Sequence, residues 1–79
     1  MDEIEVTARF LPGKGVIPLR FKWDEKVFKI DSVGRRWNAT DGTHILVMDM
    51  ESQVFHLVYN SDQMTWHLFQ SGESNILTA

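Results

Sequence analysis

The feature that most constrains this chain is an alternation of apolar and polar residues that runs along nearly all of it. Near the amino end, for example, single polar residues separate Ile4, Val6, Ala8 and Phe10. A period of two residues puts successive side chains on opposite faces of a strand, whereas an amphipathic helix repeats every ~3.6 residues. Since no stretch sustains the helical period, the sequence predicts an all-β fold.

Turn-forming residues divide the chain into six strands. Pro12-Gly13 interrupts the first alternating stretch, because proline fixes one backbone dihedral and glycine admits positive φ. Asp24-Glu25 predicts a second turn, and residues 34–42 form a link in which Gly34 indicates a bulge or bend. The predicted strands are residues 4–11, 16–23, 27–33, 44–50, 53–59 and 64–70.

The registers set by these turns give the first three strands one shared apolar face. The turn between the second and third strands places Phe21 opposite Phe28, and the loop after the first strand places Val6 opposite Phe21 and Ala8 opposite Leu19. A slip of one residue would send every side chain to the other face, so this agreement favours a three-stranded meander.

Two three-stranded antiparallel meanders account for the whole pattern. Each is too small to bury its apolar face alone, so we expect them to pack as a small sandwich or a partly open barrel. A chain of 79 residues suits one domain, which we place at residues 1–72, with a C-terminal tail at 73–79. The residues predicted for the core are Phe10, Leu19, Phe21, Phe28, Ile30, Phe55, Leu57, Trp66 and Leu68.

Several classes of function are excluded by composition and motif. The chain has no cysteine, which rules out disulfides and cysteine nucleophiles. It has no Gly-rich phosphate loop and no nucleophile elbow, and its serines fall at expected turns or termini, so we predict no enzymatic activity and no cofactor. Acidic residues at the start, and no apolar run of about 20 residues, predict a cytoplasmic protein that does not enter a membrane.

Basic residues are concentrated in residues 14–37, although the net charge of the chain is −3. Cations on a strand face can contact phosphates while a base stacks on an indole, so nucleic-acid binding is the alternative hypothesis. The competing interpretation is that the charges neutralise one another within the domain and the tryptophan is buried between the meanders. The candidate nucleic-acid contacts are Arg20, Lys22, Lys29, Arg35, Arg36 and Trp37.

The three histidines form the third candidate site. The predicted registers put His44 opposite Val58 and His56 opposite His67, all on one face. Neutral imidazole nitrogens bind zinc at about 2 Å, so this face is a possible metal site. His44 lies two strand positions from His56, however, and no carboxylate joins them, which favours ordinary surface histidines and no bound metal.

Both faces of the second meander are more apolar than a half-solvated antiparallel sheet requires. We assign one face to the core, and an exposed apolar patch on the other would mark an interface. A homodimer or an unknown protein partner is therefore expected on this second face of strands 44–70, unless the tail or barrel closure covers it. The candidate binding residues are Leu46, His56, Val58, His67 and Phe69.

Six short stretches combine strand alternation with aromatic or basic residues: residues 19–23, 27–30, 34–37, 44–48 and 54–59, and Trp66. Together they resemble a family of short uncharacterised bacterial all-β proteins. The resemblance implies an all-β fold and a bacterial cytoplasmic origin, and it implies no catalytic or binding residue. Looser relatives of that family occur alongside lesion-bypass DNA polymerase-like proteins, which slightly favours the nucleic-acid hypothesis.

The sequence therefore predicts a non-catalytic protein-interaction or small binding module. Nucleic-acid binding through residues 14–37 is the alternative hypothesis, and a histidine metal site is the third.

Overall fold

Every strand of the computed structural model pairs with its neighbours along the chain, and the last strand pairs with the first. The structure describes residues 2–69. The predicted all-β, antiparallel architecture is confirmed. The strands are β1 (Asp2–Leu11), β2 (Gly15–Trp23), β3 (Lys26–Ala39), β4 (Gly42–Asp49), β5 (Val54–Asn60) and β6 (Thr65–Leu68).

Pairing between the two ends of the described chain closes the sheet into a barrel. Ile4 of β1 lies opposite Trp66 of β6, and both side chains are buried. The architecture is therefore a closed barrel and not the sandwich or partly open barrel expected from two separate meanders. The tail predicted at residues 73–79 lies outside the described residues.

β3 occupies the region expected to contain a link between two meanders. It runs for 14 residues, pairing with β2 through residues 26–29 and with β4 through residues 30–39. Irregularities between Ile30 and Ser32 and between Val33 and Arg36 bend it, which confirms the bend expected at Gly34. The prediction that residues 34–42 form a separate link was wrong, because a bulged strand can turn a corner without leaving the sheet.

The hairpin of β2 and β3 has the predicted register, with Phe21 opposite Phe28. Asp24 and Glu25 form its two-residue turn, and both have positive φ, at 54° and 61°. A two-residue hairpin turn with positive φ at both positions is type I′, whose twist matches that of the flanking strands.

The hairpin of β1 and β2 follows the predicted register only in part. Val6 lies opposite Phe21 as expected, but a bulge makes Pro18, rather than Leu19, the partner of Ala8. Proline cannot donate a hydrogen bond to the ladder and is tolerated in strands at such irregularities. The extra residue turns Leu19 outward, where it is exposed, while Pro18 is buried.

The core lies inside the barrel and contains most of the residues predicted for it. Phe21, Leu57, Trp66 and Leu68 are buried, and Phe28, Ile30 and Phe55 pack against them half-buried. Two assignments were wrong: Leu19 is turned outward by the bulge, and Phe10 is 63% exposed, although its ring makes an edge contact with that of Tyr59. Residues that complete the buried cluster are Ile4, Val16, Ile45, Val47 and Tyr59.

The last three strands bring the histidines to the outside of the barrel. His44 lies opposite Val58, as predicted. His67, however, also lies opposite Val58, so His56 is not opposite His67 as expected. The backbone N–H of Phe69 donates instead to the carbonyl of His56 at 2.9 Å. The expected register was shifted by two residues because the turn before β6 begins one residue later than assumed and places Asn60 opposite Thr65.

Candidate functional site

An open groove of about 860 Å³ lies at the end of the barrel that carries the β2–β3 and β4–β5 turns. It forms because the first residues of β3 pair with β2 alone, while β4 turns away after Asp49. The groove is lined by Trp23, Lys26, Val27, Phe28, Lys29, Asp49, Met50, Glu51, Gln53 and Phe55.

Aromatic rings form the floor of the groove. Phe28 stacks on Phe21 with ring centroids 5.1 Å apart, and Phe55 meets both rings edge-on, also at 5.1 Å. Trp23 completes the floor at 6.3 Å from Phe28, and its indole N–H donates to Asp2 at 3.3 Å. Because Phe21 is almost fully buried, the half-buried rings that rest on it are held in place before any ligand arrives.

Two apolar side chains on the rim of the groove are left in water. Val27 is 61% exposed and Met50 is 66% exposed. Scattered exposed apolar residues are ordinary, but these two flank one aromatic floor. The groove therefore offers apolar surface that a ligand can cover.

Two lysines and two acidic residues lie on the groove lining, and they differ in how they are engaged. Lys26 and Lys29 are exposed, and no ion pair involving either is found within residues 2–69. The Asp49 carboxylate, in contrast, is buried and accepts hydrogen bonds from the backbone N–H groups of Glu51 and Gln53, at 2.9 and 2.8 Å. Asp49 therefore organises the β4–β5 turn, and Glu51 is the one exposed acid on the lining.

A cluster of polar and aromatic side chains lies on the outside of the barrel, around His44. Its Nε2 donates to the Asp41 carboxylate at 2.7 Å, and its Nδ1 is joined to Nε2 of His56 at 2.8 Å. Trp37 stacks on His44, with centroids 5.2 Å apart, and Phe69 contacts His56 at 4.7 Å. These five residues are called the histidine cluster below.

Hydrogen bonding restricts which nitrogens carry protons within the histidine cluster. Because a carboxylate is an acceptor, Nε2 of His44 must carry a proton toward Asp41. A bond between two imidazole nitrogens needs one proton between them, so His44 and His56 cannot both be fully protonated and keep it. The hydrogen bond from His44 lowers the pKa of Asp41 below its usual value.

The residues proposed for a protein interface lie on the outside of β4, β5 and β6, with Phe69 directly after β6. Val58 is buried, at 1% exposure. Leu46, His56, His67 and Phe69 are half-buried. This face is therefore less exposed than the rim of the groove.

The residues proposed for nucleic-acid binding are spread over β2 and β3. Arg20 lies directly opposite Lys29, and Lys22 lies opposite Glu5. Arg35 lies 5.1 Å from the Trp37 ring, whose stacking partner is His44, so both Arg35 and the indole are already engaged. Arg36 is exposed and lies on the opposite face of β3 from Arg35, next to Gly15.

The three histidines do not converge on one point. His44 and His56 direct nitrogens at each other, while His67 lies on the far side of Val58 and opposite Glu3. Across residues 2–69, no group of three or more His, Asp or Glu side chains is arranged to hold a metal ion.

Sequence reasoning missed the groove and the role of Asp41. Val27 is exposed because residues 26–29 pair with β2 only, and pairing with β4 begins at Ile30. The alternation of apolar and polar residues does not reveal where this pairing begins. Asp41 lies within residues 34–42, which were predicted to form a link, and its spacing of three residues from His44 is the sequence signal that could have identified it.

No protein-family model matches the chain, and neither the curated proteins nor the solved structures include a significant match. Within the part of the chain that the structure describes, no helix is long and apolar enough to cross a membrane.

Proposed function

We propose that this barrel is a non-catalytic binding module that takes up a segment of a partner protein in the groove between the β2–β3 and β4–β5 turns. The groove itself carries the proposal: it has a preformed aromatic floor, and the apolar residues Val27 and Met50 on its rim are exposed. Fully burying one such side chain is worth about 1.5–3 kcal/mol, so a ligand that covers both gains substantial affinity.

The histidine cluster supports the non-catalytic part of the proposal. Both ring nitrogens of His44 are hydrogen-bonded within the cluster, one to Asp41 and the other to His56, and the His44 residue is buried. Its packing against Trp37 gives the cluster a structural role, in which it ties β3, β4 and β5 together outside the core.

Selection from a displayed library of random peptides tests the proposal without knowledge of the partner. We expect enriched peptides to bind the protein in calorimetric titrations. Met50→Glu places a charge beside the aromatic floor and should weaken binding at least about tenfold, which corresponds to about 1.4 kcal/mol.

Met64→Glu is the matched control, because Met64 is 75% exposed and lies in the turn at the opposite end of β5. This variant should bind the selected peptides as the unaltered protein does. The proposal fails if selection enriches no peptide, or if Met50→Glu and Met64→Glu bind the enriched peptides equally well.

A further inference from the structure

We infer that the ligand of this groove is an acidic, extended peptide segment that adds to β3 as an additional strand along residues 26–29. The inference rests on the proposed function and names the class of ligand that the groove accepts. It is carried by the backbone of β3 and by the charges beside it.

The first residues of β3 have a partner on one side only. Residues 26–29 pair with β2, and pairing with β4 begins at Ile30. Within residues 2–69, no other strand pairs with residues 26–29, so this edge of β3 faces the groove. A strand edge with unpaired N–H and C=O groups is a template for an extended peptide.

The turn geometry identifies the backbone groups that face the groove. Trp23 and Lys26 flank the type I′ turn and exchange its hydrogen bond. Hydrogen-bonded and non-bonded pairs alternate along an antiparallel ladder, so the Lys22–Val27 pair is non-bonded. The N–H and C=O of Val27 therefore point away from β2, toward the space a peptide would fill.

The two faces of an added strand would lie beside different side chains of β3. Phe28 belongs to the aromatic floor, whereas Val27 and Lys29 lie on the other face of β3, because neighbouring residues in a strand alternate. A peptide with apolar residues on one face can cover Phe28 and Phe55. Acidic residues on its other face then lie beside Lys29.

Charge also selects among the possible occupants. Arg20 lies directly opposite Lys29, and like charges in that position repel unless an anion approaches. A second copy of this chain would bring Lys26 and Lys29 against the same lysines of its partner, and lysine on a strand edge is a known barrier to such self-pairing. An acidic peptide meets neither obstacle.

A synthetic peptide in which glutamate alternates with valine and phenylalanine tests this inference. Two further versions carry backbone N-methyl groups at every second residue, one at the odd and one at the even positions. Only one of these sets of N–H groups can face β3, so we expect one methylated version to lose binding at least about tenfold and the other to retain it.

The charge requirement is tested with Lys26→Glu/Lys29→Glu, which should weaken binding of the acidic peptide at least about tenfold. Arg9→Glu/Lys14→Glu makes the same change in charge at exposed positions away from the groove and should have a much smaller effect. Melting temperatures of both variants confirm that each is folded.

Each contrary result has a distinct meaning. Equal binding of both methylated versions overturns strand addition, and equal binding by the two charge variants overturns the preference for acid. If the library peptides bind at Met50 but the acidic peptide does not bind, the ligand class is wrong while the proposed function stands. A single-stranded oligonucleotide that binds more tightly than the peptide at about 50 mM salt, through the same two lysines, overturns the inference in favour of a polyanion.

Discussion

Asp41 organises the histidine cluster although it lies in an exposed turn between β3 and β4. Its carboxylate holds His44 by one ring nitrogen, which directs the other nitrogen of His44 at His56. The hydrogen bond from His44 is the largest cause of the lowered pKa of Asp41, because it stabilises the ionised carboxylate. A short-range interaction at the surface thus links three segments of the barrel.

The lowered pKa of Asp41 predicts a definite pH dependence of stability. A carboxyl group with a depressed pKa in the folded state contributes stability above its unfolded value, near 3.8, and loses that contribution as the pH falls through the folded value. Asp41→Asn should therefore melt at a lower temperature than the unaltered protein near neutral pH. The difference should shrink below about pH 4.

Thermal melts followed by circular dichroism across this pH range measure the effect. Asp62→Asn serves as the control, since Asp62 is an exposed aspartate in the turn before β6. A melting-temperature difference for Asp41→Asn that stays constant from neutral pH to about pH 2 would contradict the assigned hydrogen bond.

The burial of Pro18 and the exposure of Leu19 could not be predicted from the alternation of residues alone. Alternation placed Leu19 in the core, although Pro18 stands directly before it. Pro18 has no N–H to donate to the ladder, and a bulge accommodates it. As a result Pro18 takes the inward position and Leu19 is exposed. Proline was visible in the sequence, but whether a strand absorbs it by a bulge depends on its partner strand.

Among the strand pairs, the β2–β3 hairpin was the most predictable from sequence because its two-residue turn leaves little freedom of register. The register of β5 and β6 was shifted because a four-residue turn can be closed at more than one residue. The third strand was predicted to end at Val33, because the glycine and adjacent charges that follow it resemble a loop. Its true length depends on contacts with β4 that local sequence does not encode.

The β2–β3 turn also offers a route to a more stable protein. Asp24 and Glu25 both occupy the left-handed region, where a side chain beyond glycine costs about 1–2 kcal/mol. Glu25→Gly should raise the free energy of unfolding by about 0.5–1 kcal/mol, because type I′ turns favour glycine at the second position.

Urea denaturation measures this gain, and Glu25→Ala, which keeps a β-carbon, is the control that should give none of it. If glycine and alanine at position 25 had the same stability, the turn would not have the type I′ geometry described above.

At the scale of the whole molecule, barrel closure and the groove have a common origin. β3 pairs first with β2 and then with β4 along its length. The six strands therefore close into a barrel, while one edge of residues 26–29 has no partner strand among the described residues. The pairing of β1 with β6 joins residues far apart in sequence, so alternation predicted the strands and their faces but not closure. The groove depends on the same topology, so the sequence did not predict it and the candidate interface was placed on the outer face of β4 and β5 instead.

The central claim is that ligands bind in the groove and not on the outer face of β4 and β5. Mapping of amide and indole resonances by NMR during titration with a library-selected peptide tests it most directly. We predict that the indole N–H of Trp23 and the amides of Val27 and Met50 shift most. Largest shifts at the amides of Leu46, His56 and Val58, with the groove unchanged, would contradict the account.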